Sequence, residues 1–349
     1  MLLVAVGLVI HKKYKSLFVL AFSFVWLYDA FPLLLVMVLI FFLCEAGVER
    51  RADYRLLTYV LAGLLAGIVI NPFFPSNVGS YFFNLARISS TESSLGVGNE
   101  WRPYSTLAFV QQTWVCLIVF FGTIAILLGR LERRSHVLYA LFGIALFFLA
   151  LLMKSRRMIE YWPPFAVLFC AFGFHEVLAH LPERERMKLK LRNRFSVVVA
   201  WAALCCCAVL TYQAARAEMK NSTSNDYYRG AALWLKQHTQ PGTIVFNTDW
   251  DDFSQLFFYN DSNYYVVGLD PNYMRKYDDN LYRVWQDIGK GKVRNPHKAI
   301  VDQFKAFYVL TDNSHQAFLR RVEEDTQMTA VYRDAHCSVY SISEDRAPR

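Results

Sequence analysis

Two adjacent arginines carry the clearest chemical signal in the sequence. Arg156 and Arg157 follow an apolar stretch, and Glu160 and Tyr161 come shortly after them. A guanidinium group presents planar, forked donors that match the oxygens of a phosphate. We therefore predict that Arg156 and Arg157, accompanied by Tyr161 and oriented by Glu160, bind an anionic head group. The alternative is that both arginines simply extend to an anionic lipid surface.

Two carboxylates are candidates for a general base that would take a proton from a substrate hydroxyl. Asp29 interrupts the apolar run WLYDAFPLL, and Glu100 lies in GNEWRPY with Trp101 and Tyr104. An ionisable residue in a broken apolar segment is a candidate functional residue, so Asp29 is the preferred base and Glu100 the second choice. The alternatives are a helix cap for Asp29, simple solvation for Glu100 and an interfacial aromatic belt for Trp101 and Tyr104.

A third group of acids follows predicted strands near the carboxyl end of the chain. Asp249, Asp251 and Asp252 follow one strand, Asp270 follows the next, and Asp312 ends a third. The carboxyl ends of parallel strands share one edge, where such acids could hold a cation or sugar hydroxyls. Aspartate after a strand is also a common helix cap or turn former, and we favour that interpretation.

No metal site is predicted. His175 and His180 in HEVLAH are five positions apart, whereas two zinc ligands on one helix face need a spacing of four. The seven cysteines form no disulfide framework or zinc spacing.

The composition indicates which elements must position these residues. The chain has 349 residues, of which 55% are hydrophobic and 19% charged, and this balance is typical of a membrane protein. The net charge of +8 is carried by residues 1–215, in short basic runs between apolar stretches. A nucleic-acid-binding protein would need a basic face on a folded domain, so that class is excluded.

Apolar stretches predict about six to seven membrane segments, one of them broken or re-entrant. A bilayer needs roughly 17 to 25 apolar residues per helix. Residues 17–44 are interrupted at Asp29 and Pro32, which predicts two short helices meeting there, and residues 1–10 form only half a span. The clear candidates are residues 56–70, 106–128, 136–153, 158–180 and 195–212.

Basic connections predict the orientation, because short cytoplasmic loops carry excess Lys and Arg. The runs HKKYK, ERRADYR, GRLERR and ERERMKLKLRNR mark the cytoplasmic side. The loop 71–105, which contains Gly96 and Gly98 in a flexible stretch, and the region from about residue 213 are then outside. Arg156 and Arg157 are then also on the outer side, although basic residues usually favour the cytoplasmic side. Their position therefore calls for an anionic partner.

The predicted organisation is an α-helical polytopic membrane domain, residues 1–212, followed by a small soluble α/β domain, residues 213–349. In the second region short helical and strand patterns alternate, from YYRGAALWLKQH to SVYSIS. This alternation predicts a parallel sheet with an antiparallel edge at its end.

The order of these features resembles the later two-thirds of a bacterial GT-C superfamily glycosyltransferase, a family-39-like membrane protein that uses polyprenyl-phosphate-linked sugars. The resemblance covers most of the chain and lies in WLYDAFP, NPFFP, GNEWRPY, SRRMIEYWPPF and ALWLKQHTQPG. It implies sugar transfer from the carrier to a glycan, lipid or protein acceptor on the outer face of the bacterial inner membrane. The carboxyl-terminal domain would then be periplasmic or extracellular.

The resemblance also assigns roles to residues. Arg156, Arg157 and Tyr161 match the arginine and tyrosine that lie near the carrier phosphate in that family. Such enzymes keep a catalytic acid in their first outer loop, and this chain opens with half a helix instead. We therefore expect the family's amino-terminal part to be missing, or the catalytic role to be lost or moved to Asp29 or Glu100. No cofactor is assigned, and a divalent cation is left open.

Two other functions fit the same features. An O-antigen polymerase or ligase would also use outer arginines on a lipid diphosphate. A non-catalytic membrane-anchored binding protein would recognise a ligand through its carboxyl-terminal domain and use the helices as an anchor.

Overall fold

The computed structural model describes residues 1–51, 53–89, 99–130, 135–180, 182, 201–202, 205–220 and 224–343. The chain divides into two compact units, residues 1–199 and residues 200–349. The predicted boundary between a membrane domain and a non-cytoplasmic domain after residue 212 stays a prediction, because the contacts within each unit do not locate a membrane.

The first unit is helical, as expected for apolar segments whose backbone groups must be paired within each segment. Two single 3₁₀ turns, Asn99–Trp101 and Arg156–Glu160, precede α6 and α8 respectively. Its described α-helices are α1 (Leu2–Ile10), α2 (Tyr14–Leu27), α3 (Pro32–Glu49), α4 (Tyr54–Val69), α5 (Ser76–Ser89), α6 (Thr106–Arg130), α7 (His136–Lys154) and α8 (Trp162–Ala179).

The described residues contain fewer candidate membrane segments than predicted. Within the described residues four helices are long and apolar enough to cross a membrane: Pro32–Glu49, Thr106–Gly129, His136–Lys154 and Arg156–Ala179. Helices α2 and α4 have 14 and 16 residues, short of the roughly 17 that a span requires. Residues 195–200 and 203–204 of the predicted segment 195–212 lie outside the described residues, so this segment cannot be assessed as a full span. Six to seven spans are therefore not supported, whereas a helical membrane protein is compatible with these four helices.

The break predicted at Asp29 is found. Helix α2 ends at Leu27 and α3 begins at Pro32, where proline is tolerated because the first amide of a helix needs no partner within it. Tyr28 has an extended backbone between the two helices. Asp29 is exposed in this connection.

The two shorter helices pack closely through glycines of α4. A Cβ atom added at Gly63 would lie 2.5 Å from the Phe18 carbonyl oxygen of α2, and one added at Gly67 would lie 2.9 Å from the Phe22 carbonyl oxygen. The indole of Trp26 donates a hydrogen bond to the Gly67 carbonyl oxygen at 3.0 Å. Small residues thus allow two backbones to approach, as they do between helices in membranes.

Connections between helices alternate between two ends of the first unit. At one end Lys12 pairs with Glu45 at 2.7 Å, and the Tyr14 hydroxyl donates to Asp53 at 2.6 Å. His136 lies 2.5 Å from Glu49 at the same end. We call this the basic-loop end, because it contains the connections HKKYK and ERRADYR. The opposite end contains the connection between α2 and α3, the return of the 71–105 loop and the turn between α7 and α8.

The second unit is built around a five-stranded sheet in the order β2-β1-β3-β5-β4. Strands β1, β2 and β3 pair in parallel, and β5 pairs antiparallel to both β3 and β4, so the predicted parallel sheet with an antiparallel edge is confirmed. Its elements are α9 (residues 205–220), α10 (Arg229–His238), β1 (Ile244–Asn247), α11 (Phe253–Tyr259), β2 (Tyr264–Tyr265), α12 (Asn272–Tyr277), α13 (Asp279–Gly289), α14 (Pro296–Ala299), β3 (Tyr308–Asp312), α15 (Gln316–Glu324), β4 (Met328–Arg333) and β5 (Cys337–Ile342).

The central strands supply the core of this sheet. Phe246 of β1, Leu310 of β3 and Val339 of β5 are fully buried, whereas Tyr264 on the edge strand β2 is exposed. Strand β1 lies between β2 and β3, and the chain leaves β1 first for β2 and then returns to β3. The order of connections therefore reverses between β1 and β3, where open sheets of this kind usually bind their ligands.

Candidate functional site

The arginines predicted from the sequence lie on a 3₁₀ turn that is fixed at both sides. Helix α7 ends at Lys154, Ser155 is extended, and the turn Arg156–Glu160 leads into α8 at Trp162. Prolines in the first turn of α8 favour a helix start there. The two guanidinium groups therefore project from the end of the unit opposite the basic-loop end.

The returning segment of the 71–105 loop is hydrogen-bonded along this turn. The Ser155 hydroxyl donates to the Glu100 carbonyl oxygen at 3.1 Å, and the Arg156 amide donates to the Arg102 carbonyl oxygen at 3.1 Å. The Arg156 side chain donates through Nε to the Pro103 carbonyl oxygen at 3.2 Å. Main-chain carbonyl oxygens of the loop thus hold the start of the turn that carries both arginines.

Each arginine also contacts a side chain of the loop. Arg157 Nη1 lies 2.8 Å from Glu100 Oε1, and its guanidinium carbon lies 4.9 Å from the centre of the Trp101 ring. The guanidinium carbon of Arg156 lies 5.2 Å from the centre of the Tyr104 ring. We call these five residues, Glu100, Trp101, Tyr104, Arg156 and Arg157, the arginine cluster.

Tyr161 and Asp29 approach the same end of the unit from two other elements. The Tyr161 hydroxyl donates to the Tyr28 hydroxyl at 3.2 Å, and its ring stacks on Phe148 of α7 at 5.3 Å. Tyr28 directly precedes Asp29 and also lies within electrostatic reach of Arg157. The break between α2 and α3 is therefore linked to the residues that follow the arginine turn.

The sequence-predicted site residues are thus largely brought together. Glu100, Trp101, Arg156 and Arg157 are in contact, and Tyr161 joins them to the connection that carries Asp29. The carboxylate in contact with Arg157 is that of Glu100, whereas Glu160, predicted to orient the arginines, is exposed and acts on Arg157 through its charge. The flexible stretch predicted around Gly96 and Gly98 lies outside the described residues.

Sequence reasoning missed Tyr28 and Ser155. Tyr28 is next to the helix-breaking Asp29, and Ser155 is the polar residue at the end of an apolar helix, so both carried a local signal. Their partners lie 133 and 55 positions away in the chain, which no local signal reveals.

The arginine cluster has the electrostatics of an anion-binding site. The two guanidinium groups contact one carboxylate, that of Glu100, and the charge of Glu160 also acts on Arg157. The Arg157 side chain remains 32% exposed, so part of its donor fork is open to a ligand. Charge-assisted hydrogen bonds from such a fork are stronger than neutral ones and suit a phosphate. The cluster can therefore bind an anion while Glu100 and Trp101 hold the Arg157 group in place.

The predicted acids of the second unit behave as caps and turn residues. Asp249 Oδ1 accepts from the Trp250 amide at 2.7 Å, Asp270 Oδ1 from the Asn272 amide at 3.0 Å, and Asp312 Oδ1 from the Ser314 amide at 3.0 Å. Two of them, Asp249 and Asp312, also meet at the junction of β1 and β3, where His315 lies between them.

No group of three or more His, Cys, Asp or Glu side chains in the described part of the chain is arranged to hold a metal ion.

No protein-family model matches the chain, and no curated protein matches it.

Proposed function

We propose that this chain is a membrane glycosyltransferase of GT-C type that moves a sugar from a polyprenyl-phosphate carrier to an acceptor hydroxyl. The observation that supports it is the arginine cluster. Its two guanidinium groups lie at the end of the helical unit that is opposite the basic-loop end. If the basic-loop end faces the cytoplasm, the cluster lies at the depth of lipid head groups on the outer face.

In the proposed reaction the acceptor oxygen attacks the anomeric carbon of the sugar. The bond from that carbon to the phosphate oxygen breaks, and the polyprenyl phosphate leaves with the bonding electrons. Arg156 and Arg157 would stabilise the negative charge that develops on the phosphate. A general base takes the proton of the acceptor hydroxyl, and we assign this role to Asp29.

We assign Glu100 a different role from the one that the sequence suggested. Its carboxylate is engaged by Arg157 at 2.8 Å, so it is better suited to orienting the guanidinium than to accepting a proton from substrate. Asp29 is exposed in the connection between α2 and α3, where an incoming hydroxyl could reach it. Glu100 is then a positioning residue and Asp29 the candidate catalytic residue.

Lipid binding is the first test. The purified full chain is titrated with polyprenyl phosphate and with the uncharged polyprenol of the same length, which separates recognition of the phosphate from recognition of the chain. Arg157→Ala should weaken binding of the phosphate about tenfold or more, as loss of a charge-assisted hydrogen bond predicts, and leave polyprenol binding unchanged. Arg102→Ala removes the same charge from the same end and serves as the matched control.

Sugar transfer is the second test. Membranes with and without the chain are incubated with radiolabelled sugars on polyprenyl phosphate, and incorporation into acceptor is measured. Wild-type membranes should transfer label, and Arg157→Ala should reduce transfer more than Arg102→Ala does. Transfer of a larger glycan from a lipid diphosphate alone would favour a polymerase or ligase. Phosphate-dependent binding without any transfer would favour an anchored binding protein, and equal binding of phosphate and polyprenol would overturn the proposal.

A further inference from the structure

Five titratable side chains of the second unit converge at the carboxyl ends of β1 and β3. Tyr228 precedes α10, Asp249 and Asp252 lie between β1 and α11, Asp312 ends β3, and His315 precedes α15. We call these five residues the carboxyl-edge cluster. They lie at the point where the order of sheet connections reverses.

His315 joins two segments of this cluster. Its Nδ1 atom lies 2.6 Å from Asp312 Oδ1, and its Nε2 atom lies 3.7 Å from Asp249 Oδ2. The His315 side chain is only 19% exposed, so the imidazole is largely enclosed between the two carboxylates. A protonated ring carries a donor on each nitrogen and can attract both sides at once.

Further acidic groups face the same ring from the neighbouring elements. Asp252 interacts electrostatically with His315 from the start of α11, and the Tyr228 hydroxyl lies 3.5 Å from Asp312 Oδ2. Asp251 acts on Asp249 and Asp252, and Asp334, in the turn before β5, adds a further carboxylate near Cys337. The ring is thus the positive partner among several carboxylates.

We propose that the carboxyl-edge cluster is a proton-dependent latch. At low pH protons held on His315, Asp249 and Asp252 keep the segment 249–252 at the end of β3, and loss of these protons leaves mutually repelling carboxylates that release this segment. Release would uncover the carboxyl ends of β1 and β3, the edge at which sheets of this kind bind ligands.

The pKa shifts within the carboxyl-edge cluster give the direction in which the latch responds to pH. Burial lowers the pKa of His315, but the hydrogen bond with Asp312 and the nearby carboxylates outweigh burial and raise it. Burial, with Asp251 beside it, raises the pKa of Asp249 to about 6, and burial raises that of Asp252 to about 7. The folded segment therefore binds more protons than the unfolded segment between about pH 4 and pH 7, so its stability falls as the pH rises.

The pKa of Asp312 moves in the opposite direction. Burial would raise it, but the hydrogen bonds from His315 and Ser314 prevail and lower it. Asp312 is therefore ionised throughout this pH range and does not change the sign of the response.

Hydrogen exchange on the full chain in lipid nanodiscs tests the latch. Amides of residues 249–259 are followed by mass spectrometry at pH 5.5 and pH 8.0, with labelling times corrected for the intrinsic dependence of exchange on pH. We expect protection of these amides to fall about tenfold at the higher pH, the factor that one unit of pKa shift corresponds to. Residues 337–342 of β5 report whether the unit stays folded.

Two variants should move the response in opposite directions. His315→Asn should lower protection at pH 5.5 toward the wild-type level at pH 8.0. Asp252→Asn removes a repelling charge and should keep the segment protected at pH 8.0. His297→Asn is the matched control, because His297 pairs with Asp325 at 2.7 Å in another part of the unit, and it should leave the response of residues 249–259 unchanged.

Three results of the exchange experiment would contradict the latch. A wild-type segment with the same corrected protection at both pH values would overturn the latch. An Asp252→Asn response equal to that of wild type, or a His297→Asn effect as large as that of His315→Asn, would overturn it as well. Because Asp252→Asn is expected to gain protection, a variant that fails to fold cannot be mistaken for support.

Discussion

Arg157 and Glu100 lie 57 positions apart in the chain, and their side chains meet at 2.8 Å. One belongs to the turn before α8 and the other to the return of a long loop. The contact joins the two segments that contain most of the predicted site, and it engages the carboxylate that had been considered as a general base.

Replacing the two candidate acids should separate their roles. Glu100→Gln keeps an acceptor for Arg157, so we expect sugar transfer to fall about tenfold or less, the scale of a weakened charge-assisted hydrogen bond. Asp29→Asn removes a proton acceptor and should lower transfer by about 10²-fold or more. Initial rates at saturating lipid-linked sugar measure both effects. If Glu100→Gln loses more activity than Asp29→Asn, the two roles are reversed.

The two ends of the helical unit should be accessible from opposite sides of the membrane. Arg156→Cys reports the arginine cluster, and Lys13→Cys, which is exposed, reports the basic-loop end. A membrane-impermeant maleimide added to intact cells should label the first variant and reach the second only after permeabilisation, because short basic connections favour the cytoplasm. The parent chain measures background from its native cysteines. Labelling of both positions in intact cells would remove the sidedness on which the function proposal depends.

The glycine contact between α2 and α4 should be intolerant of a methyl group. Gly63→Ala would place a Cβ atom 2.5 Å from the Phe18 carbonyl oxygen and 2.9 Å from the Ala21 Cβ atom. We expect it to lower stability by about 1–3 kcal/mol, the cost of overpacking a close contact. Gly122→Ala in α6 is the control, because no atom of another described helix lies within 4 Å of its added Cβ. Thermal unfolding in detergent measures both, and a Gly63→Ala melting temperature at or above wild type would contradict the packing.

Cys337 should be chemically inert in the folded second unit. Its side chain is fully buried, and burial together with Asp334 raises the pKa of the thiol to about 12 from a usual value of 9.0. The thiolate population at pH 8 should then be about a thousandfold below that of an ordinary cysteine. Maleimide modification of the Cys337 peptide, quantified by mass spectrometry with and without urea, measures this.

The neighbouring carboxylate supplies an internal check on Cys337. Asp334→Asn should increase its modification rate, because removing the negative charge lowers the pKa of the thiol. Rapid modification of the folded wild-type chain, at the rate seen in urea, would refute the assignment.

Local signals in the sequence were sufficient for most of the elements. Asp29 and Pro32 predicted the break between α2 and α3, and the alternation of strands and helices predicted the mixed sheet. Hydropathy predicted more spans than the described residues support, because an apolar run does not show where a helix of full length begins and ends. Helix α4 has 16 residues within such a run.

The site was predicted as a set of residues but not as a geometry. The types of Arg156, Arg157 and Glu100 indicated anion binding, yet their pairing depends on how a loop returns to the start of a distant helix. His315 was missed for a similar reason. It is three positions after Asp312 and thus looks like an ordinary turn residue, whereas its second neighbour, Asp249, reaches it only through the parallel pairing of β1 with β3.

The hydrogen bonds that the Ser155 hydroxyl and the Arg156 amide donate to the main-chain carbonyl oxygens of residues 100 and 102 do not involve the Arg157 side chain. Truncating Arg157 should therefore leave the surrounding scaffold in its original form, with the Glu100 carboxylate and the Trp101 ring still facing the space that the side chain occupied. Such a vacancy suits chemical rescue. Free guanidinium ion added to the medium can occupy it and restore part of the lost anion affinity, because the groups that contacted the side chain are still in place.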